Sequence, residues 1–183
     1  MQKSSKKAPR EVIFNLVFTA LLIALQVILS RFLSIQLLNH KIGFSFVPVV
    51  IAARMFGPLG AMAVYGIGDI IGALAFPSGA YFPGFTASAI ISGLIFGLFL
   101  WKKSNPVRVT LAVFLNQLIT SFLLNSLWLS ITTGKPFITE LAIRWPQSLI
   151  MGVVQIILMV IGLEKLCVQL EKVMNRQIRT SAA

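Results

Sequence analysis

The chain reads as a succession of apolar blocks separated by short polar, Pro- or Gly-bearing breaks. A bilayer-spanning helix needs about 20 mostly apolar residues, because a hydrocarbon core of about 30 Å is crossed at about 1.5 Å per residue. The blocks predict six helices, at about 12–38, 44–56, 58–74, 84–101, 107–131 and 139–166. A polar turn at 39–43 separates the first two. Gly57-Pro58 separates the second from the third, since proline cannot donate to the ladder and glycine relaxes the backbone. The stretch Phe-Pro-Ser-Gly-Ala-Tyr-Phe-Pro at 76–83 is an aromatic loop whose two prolines resist helix. Lys102-Lys103-Ser104-Asn105-Pro106 and Thr132-Thr133-Gly134-Lys135-Pro136 make the remaining breaks. The fold expected is an all-α integral membrane bundle forming a single domain over 1–183.

Composition agrees with that reading: 57% of residues are apolar and 11% charged, against roughly 45–50% and 25% in soluble proteins. The first apolar block is too long for a cleaved signal peptide despite its basic start. A net charge of +11 would suggest nucleic acid in a soluble chain, but here its distribution matters more. With six crossings the two termini share a side. That side collects Lys3, Lys6, Lys7, Arg10, Arg54, Lys102, Lys103, Arg108, Lys165, Lys172, Arg176 and Arg179, against Lys41 and Lys135 opposite. By the positive-inside bias both termini are cytoplasmic, in a multi-pass plasma-membrane protein, and the breaks at 39–43, 75–83 and 132–139 face outward. Nucleic acid is not an expected partner; the lipid bilayer is.

The informative residues are polar groups inside the spans, where each costs roughly 2.5–3.5 kcal/mol unless it finds a partner or a wet cavity. The fifth helix carries Gln117, Ser121, Asn125 and Trp128 on one face, and the sixth carries Arg144, Gln147, Met151 and Gln155. Two such stripes either bond to one another as interhelical glue or wall a cavity between the last two helices, with amides and an arginine suited to a polar heterocycle or a carboxylate. Arg31 lies near the outer boundary, close to the face of Ala20 and Ala24, and is a candidate ligand contact. A lone Asp69 inside a span more often pairs internally. Phe46 and the aromatic loop with Tyr81, Phe82 and Phe85 are either belt residues or a clamp for a flat ligand.

Small residues four apart recur at Ala20/Ala24, Gly68/Gly72 and Gly93/Gly97, and let another helix approach closely. Within the chain or toward a partner, spacing alone does not decide. The string Gly66-Ile-Gly-Asp-Ile-Ile-Gly72 lies inside a span without a preceding strand, so it is no nucleotide loop. No phosphate-cradling P-loop signature occurs, His40 is the only histidine, and Cys167 has no metal-ligand spacing around it. No metal site, cofactor or enzymatic constellation is expected. The residues describe a candidate binding cavity with no means of hydrolysing ATP, so energised transport would need other subunits.

Length, six spans, basic start and the alanine pair resemble the S components of energy-coupling factor (ECF) vitamin transporters over nearly the whole chain. Phe44-Ser-Phe-Val-Pro48, the Gly-Asp-Ile-Ile-Gly stretch ending at Gly72, Pro77-Ser-Gly-Ala-Tyr-Phe-Pro-Gly-Phe-Thr86 and Asn125-Ser-Leu-Trp128 resemble the folate-specific members. The resemblance implies a bound folate, its pterin among aromatics and amides and its glutamate tail reaching outward. Arg31, Asn125, Trp128, Arg144 and Gln147 are the positions it carries over, with Phe46 and the Tyr81–Phe85 region beside them. It further implies a transmembrane coupling subunit met through Ala20 and Ala24, two ATP-binding subunits, and a component that topples in the membrane on docking. A third alanine of that contact motif would fall on Ile28, so the motif is shortened here. The residues by themselves leave open another vitamin such as pantothenate or a thiamin precursor, a small membrane enzyme or assembly factor, or an oligomeric channel.

Overall fold

The computed structural model describes residues 9–37, 40–77, 81–101, 105–163 and 169. Lys3, Lys6, Lys7, Lys102, Lys103, Lys165, Cys167, Lys172, Arg176, Arg179 and loop positions 78–80 lie outside them, as do the side chains of Arg10, His40 and Lys41. Five helices follow one another: α1 Pro9–Arg31, α2 Phe46–Ala75, α3 Pro83–Leu100, α4 Pro106–Thr133 and α5 Phe137–Leu158, the last extended by a π-helical turn at Met159–Leu163. All five contain stretches long and apolar enough to cross a membrane.

α2 is two rods, not one. At Gly57 the backbone takes φ 73° and ψ −162°, a left-side φ that a Cβ-bearing residue avoids, and Pro58 then starts the second arm at a position where its missing N–H is harmless. Neighbours fix the directions of the two arms. Gly43, just before the first arm, lies against Ser34 and Leu29 near the end of α1, whereas Phe56 at the arm's other end meets Phe18 early in α1. In the second arm Gly68 lies beside Gln26 and Gly72 beside Arg31. The first arm is therefore antiparallel to α1 and the second parallel, and the bundle has six helical rods among the described residues. The first described helix begins, and the last ends, at the end of the bundle that also carries Gly57 and Trp101.

The apolar block at 12–38 was expected to be one helix. Instead α1 ends at Arg31, and residues 35–37 and 40–42 form a two-stranded antiparallel hairpin with Ile35 opposite Ile42 and Leu37 opposite His40. Apolar composition cannot separate a short strand from a continuing helix. Ser30 and Ser34, whose hydroxyls bond back to Val27 O (3.0 Å) and Ser30 O (2.8 Å), mark the end of the helix. This hairpin is the one departure from an all-helical chain among the described residues.

The first arm of α2 is the hub. Phe46 and residues 48–53 are buried, and they pack with Leu22, Ala61, Val64, Phe96, Leu100, Val109, Ala112, Val113 and Met159 from the surrounding rods. A helix apolar on all sides belongs in the centre of a bundle. The outer faces carry exposed Leu16, Leu59, Leu98, Phe114 and Ile157, the surface a membrane protein shows to lipid tails. The second arm of α2 and α3 come closest: a Cβ built on Gly93 would stand 2.7 Å from Ala61 O and 2.8 Å from Met62 Cα. Backbone cannot yield as a side-chain tip can. Gly93→Val is expected to destabilise the bundle by about 1–3 kcal/mol or more, read as a lowered thermal midpoint in detergent, whereas Gly162→Ala, with open space around it, should leave the midpoint unchanged.

Candidate functional site

A half-open cavity of about 380 Å³ lies toward the end of the bundle that carries Tyr81 and Phe82, within the roughly 300–1,000 Å³ range of small-molecule sites. All six rods contribute to it: Gln26, Ser30 and Arg31 from α1; Phe46, Tyr65 and Asp69 from the two arms of α2; Phe85, Ser88, Ala89 and Ser92 from α3; Asn116, Gln117, Thr120, Ser121 and Asn125 from α4; and Arg144, Gln147, Ser148, Met151 and Gln155 from α5. The expectation of a cavity between the last two helices is corrected by this arrangement. Those helices supply 10 of the 25 lining residues, and α1, α2, α3 and the segments that join them close the rest.

Its outer part is fixed by a relay of side chains. Thr86 Oγ1 donates to Asp69 Oδ2 at 2.8 Å. Since that hydroxyl has a single proton, its 3.1 Å contact with the Tyr81 hydroxyl has Tyr81 donating. The relay ties the aromatic loop to α2 through α3. Beside it, the Trp128 indole donates to Ser88 Oγ at 2.9 Å and lies 5.6 Å from the Phe82 ring, which meets Phe85 edge-on at 6.2 Å. Gly84 makes room for both Phe82 and Trp128.

The inner part is lined with amides. Gln117 Nε2 donates to Gln155 Oε1 at 3.3 Å, and the Thr120 hydroxyl reaches Asn116 O (2.6 Å) and Asn116 Oδ1 (2.7 Å). α4 is π-helical from Asn116 to Leu124, with Asn125 N bonded to Thr120 O five residues back. With i→i+5 bonding a turn takes more residues, so positions four and five apart share a face, and Asn116, Gln117, Thr120, Ser121 and Asn125 all reach the cavity. Arg144 Nη1 donates to Ser121 O at 3.3 Å, and buried Glu140, one turn away on α5, acts on the guanidinium electrostatically.

Several buried polar atoms on this wall have no hydrogen-bond partner: Gln26 Oε1, Gln117 Oε1, Asn125 Oδ1 and Arg144 Nε. Buried polar groups are nearly always satisfied, so a group of exceptions on one cavity wall is the mark of a site that completes its bonds with a polar ligand or water.

Arg31, Phe46, Tyr81, Phe82, Phe85, Gln117, Ser121, Asn125, Arg144 and Gln147 all line the cavity. Trp128 stands just behind the lining, joined to it through Ser88 and Phe82. Arg31 leaves the lipid-facing side on which Ala20 and Ala24 are exposed, its guanidinium lying across Gly72. Asp69 bonds internally and also faces the cavity. Sequence reasoning passed over Gln26, Ser88, Ser92, Asn116, Thr120 and Glu140. Ser88 and Ser92, four apart with Phe85 and Ala89 on the same face, were a findable signal. Asn116 and Thr120 were not, because an α-helical wheel places them off the Gln117 stripe and only the π-helical turn brings them in. No group of three or more His, Cys, Asp or Glu that could hold a metal occurs among the described residues.

Residues 14–162 match the substrate-specific component of ECF transporters. The chain belongs to that family. This ECF substrate-specific component is 42% identical over 139 residues to the folate transporter FolT of Clostridium novyi, a match covering 72% of this chain and 81% of the relative. Its fold superposes with a TM-score of 0.72 on the crystal structure of a FolT bound with folic acid, at 34% identity, covering 78% of this chain and 86% of the other. The S component for biotin from an ECF-type ABC transporter shares the fold, with a TM-score of 0.58 at 16% identity over 84% of this chain and 92% of that one. Members are multi-pass transport components and not enzymes, in keeping with five apolar helices around a polar hollow.

The relay predicts that Thr86→Val leaves the Asp69 carboxylate and the Tyr81 hydroxyl without their shared partner. It should lower stability by about 1–3 kcal/mol, measured as thermal unfolding of the purified component, while Thr86→Ser retains the wild-type value.

Proposed function

We propose that this ECF substrate-specific component captures folate. The observation that carries the reading is the match, at 34% identity and a TM-score of 0.72, to a structure holding folic acid, together with a cavity here whose chemistry suits that molecule. A pterin is flat and rich in ring donors and acceptors. Phe46, Phe82 and Phe85 offer faces for it, with Trp128 behind them, and Gln117, Ser121, Asn125 and Gln147 offer amide and hydroxyl partners. The glutamate carboxylates suit the guanidiniums of Arg31 and Arg144, because charge-assisted bonds to arginine are roughly twice as strong as neutral ones. Tyr81, tied to Asp69 through Thr86, lines this region as well.

The cavity faces outward and both termini are cytoplasmic. Support comes from Arg54 and Arg108, at the end of the bundle away from Tyr81, together with the basic residues at 3–10 and 165–179, read by the positive-inside bias. Import then requires a transmembrane coupling subunit and two ATP-binding subunits. Ala20 and Ala24 sit on the exposed side of α1, where a flat surface lets a partner helix approach, and the component topples on docking to carry the cavity inward. The unit is a single membrane domain.

Purified alone, the chain should bind folate at about one site per chain, by calorimetry, and should not hydrolyse ATP. Arg144→Ala, Asn125→Ala and Trp128→Ala should each weaken binding by about tenfold or more, the effect of losing roughly 1.4 kcal/mol of contact. Copurification of a different vitamin, identified by mass spectrometry, would overturn the substrate; folate affinity indifferent to all three changes would overturn the site. Ala20→Leu with Ala24→Leu should abolish folate uptake by cells supplying the coupling subunits while leaving folate affinity of the isolated component unchanged. Uptake that persists would remove this face from the docking surface.

A further inference from the structure

Gln26 lies within α1, below Arg31, and only 1% of its surface is exposed. Its side chain lines the cavity, and its Oε1 has no hydrogen-bond partner. The carbonyl oxygen of this amide has been carried into a membrane protein's interior without the bond that would offset its desolvation. The backbone opposite is shaped around it. Gly68 of α2 faces the amide so closely that a Cβ built there would overlap Gln26 Oε1 and stand 2.7 Å from its Cδ, and one turn on, a Cβ on Gly72 would stand 2.9 Å from Arg31 Nε. Gly68 and Gly72 thus form a track on α2 along which two long polar side chains of α1 pass into the cavity. Packing alone would be served by apolar side chains, and the polar identity of Gln26 is what packing leaves unexplained.

We propose that Gln26 is a specificity-determining contact of the cavity, bonding the edge of the ligand's heterocycle, and that Gly68 is the positioning residue that lets its amide reach there. A carboxamide presents one donor and one acceptor side by side, the complement of a lactam or amidine edge such as a pterin carries. Gln26 lies five residues before Arg31 on α1, about 7.5 Å deeper along the helix, with the amide-lined part of the cavity and away from the guanidinium suited to a carboxylate tail. The assignment rests on the folate reading above and adds which part of the ligand α1 reads.

The test separates a ligand contact from a structural group by sign. Gln26→Leu roughly keeps the volume and removes the amide with its unbonded oxygen. It should lower folate affinity by about 10- to 100-fold, the size of effect expected for a lost pair of hydrogen bonds, while the thermal midpoint without ligand stays level or rises. In a Gln26→Ala background, where the shorter side chain no longer meets position 68, adding Gly68→Ala should cause no further loss of folate affinity, whereas Gly68→Ala alone should weaken binding. Unchanged folate affinity in Gln26→Leu overturns the contact, as does a lowered midpoint without ligand, which would make Gln26 a structural residue. Full loss on adding Gly68→Ala to Gln26→Ala overturns the positioning role. Failure of the unaltered chain to bind folate would instead remove the folate reading, and this assignment with it.

Discussion

One rod of this bundle is too short to cross a bilayer. The first arm of α2 runs from Phe46 to the break at Gly57, about 16 Å of helix where the hydrocarbon core asks for about 30 Å. Apolar on every side up to Arg54 in its last turn, it fills one half of the bundle's interior and packs against the other rods there. Beyond its N-terminal end the interior has no central helix, and that is where Ser45, Phe46 and the polar side chains of the other rods surround a hollow. The reversal at Gly57-Pro58 and the close approach of α2 and α3 at Gly93 hold this arrangement in place. Filling one half and leaving the other hollow are two consequences of the same short arm.

The side chains obey that division. In the packed half, the residues that surround the arm are Ala61, Val64, Phe96, Leu100, Ala112 and Val113; in the hollow half, on the same rods, they are Asp69, Ser88, Ser92, Gln117 and Asn125. Some of these polar groups answer one another, as Tyr81, Thr86 and Asp69 do, or Gln117 and Gln155. Others keep unbonded atoms on the wall. Full mutual satisfaction would have made interhelical glue; the mixture found here combines bonded pairs that frame the hollow with unbonded polar atoms on its wall.

Much of this was legible in the sequence because it is written in periodicity. Apolar block lengths pointed to the helices, Gly57-Pro58 to the reversal, and the stripes Gln117–Asn125 and Arg144–Gln155 to facing polar walls. What the sequence concealed was of two kinds. Residues 35–37 are apolar enough to continue α1, and only pairing with 40–42, a tertiary event, makes them a strand. The π-helical stretch of α4 changes which residues share a face, and no rule of α-helical spacing would place Asn116 beside Gln117 in one cavity. The share of α1 and α3 in the wall was only partly visible: Arg31 and Phe85 stood out, but Gln26, Ser30, Ser88 and Ser92 are too sparse to read as a stripe, and their convergence is visible only once the bundle is assembled.

Family membership and architecture point to a membrane transport component built around a polar hollow. The claim on which this depends is that the hollow beyond the short arm takes up water and ligand from the side carrying Tyr81. The direct measurement replaces Cys167 with serine, places a single cysteine at Ser92, and exposes intact cells to a membrane-impermeant thiol reagent with and without folate. The account predicts labelling from outside that folate suppresses, and none at a lipid-facing control such as Leu98→Cys. A cysteine at Ser92 as unreactive as the lipid-facing control, or labelled equally with folate present, would contradict it.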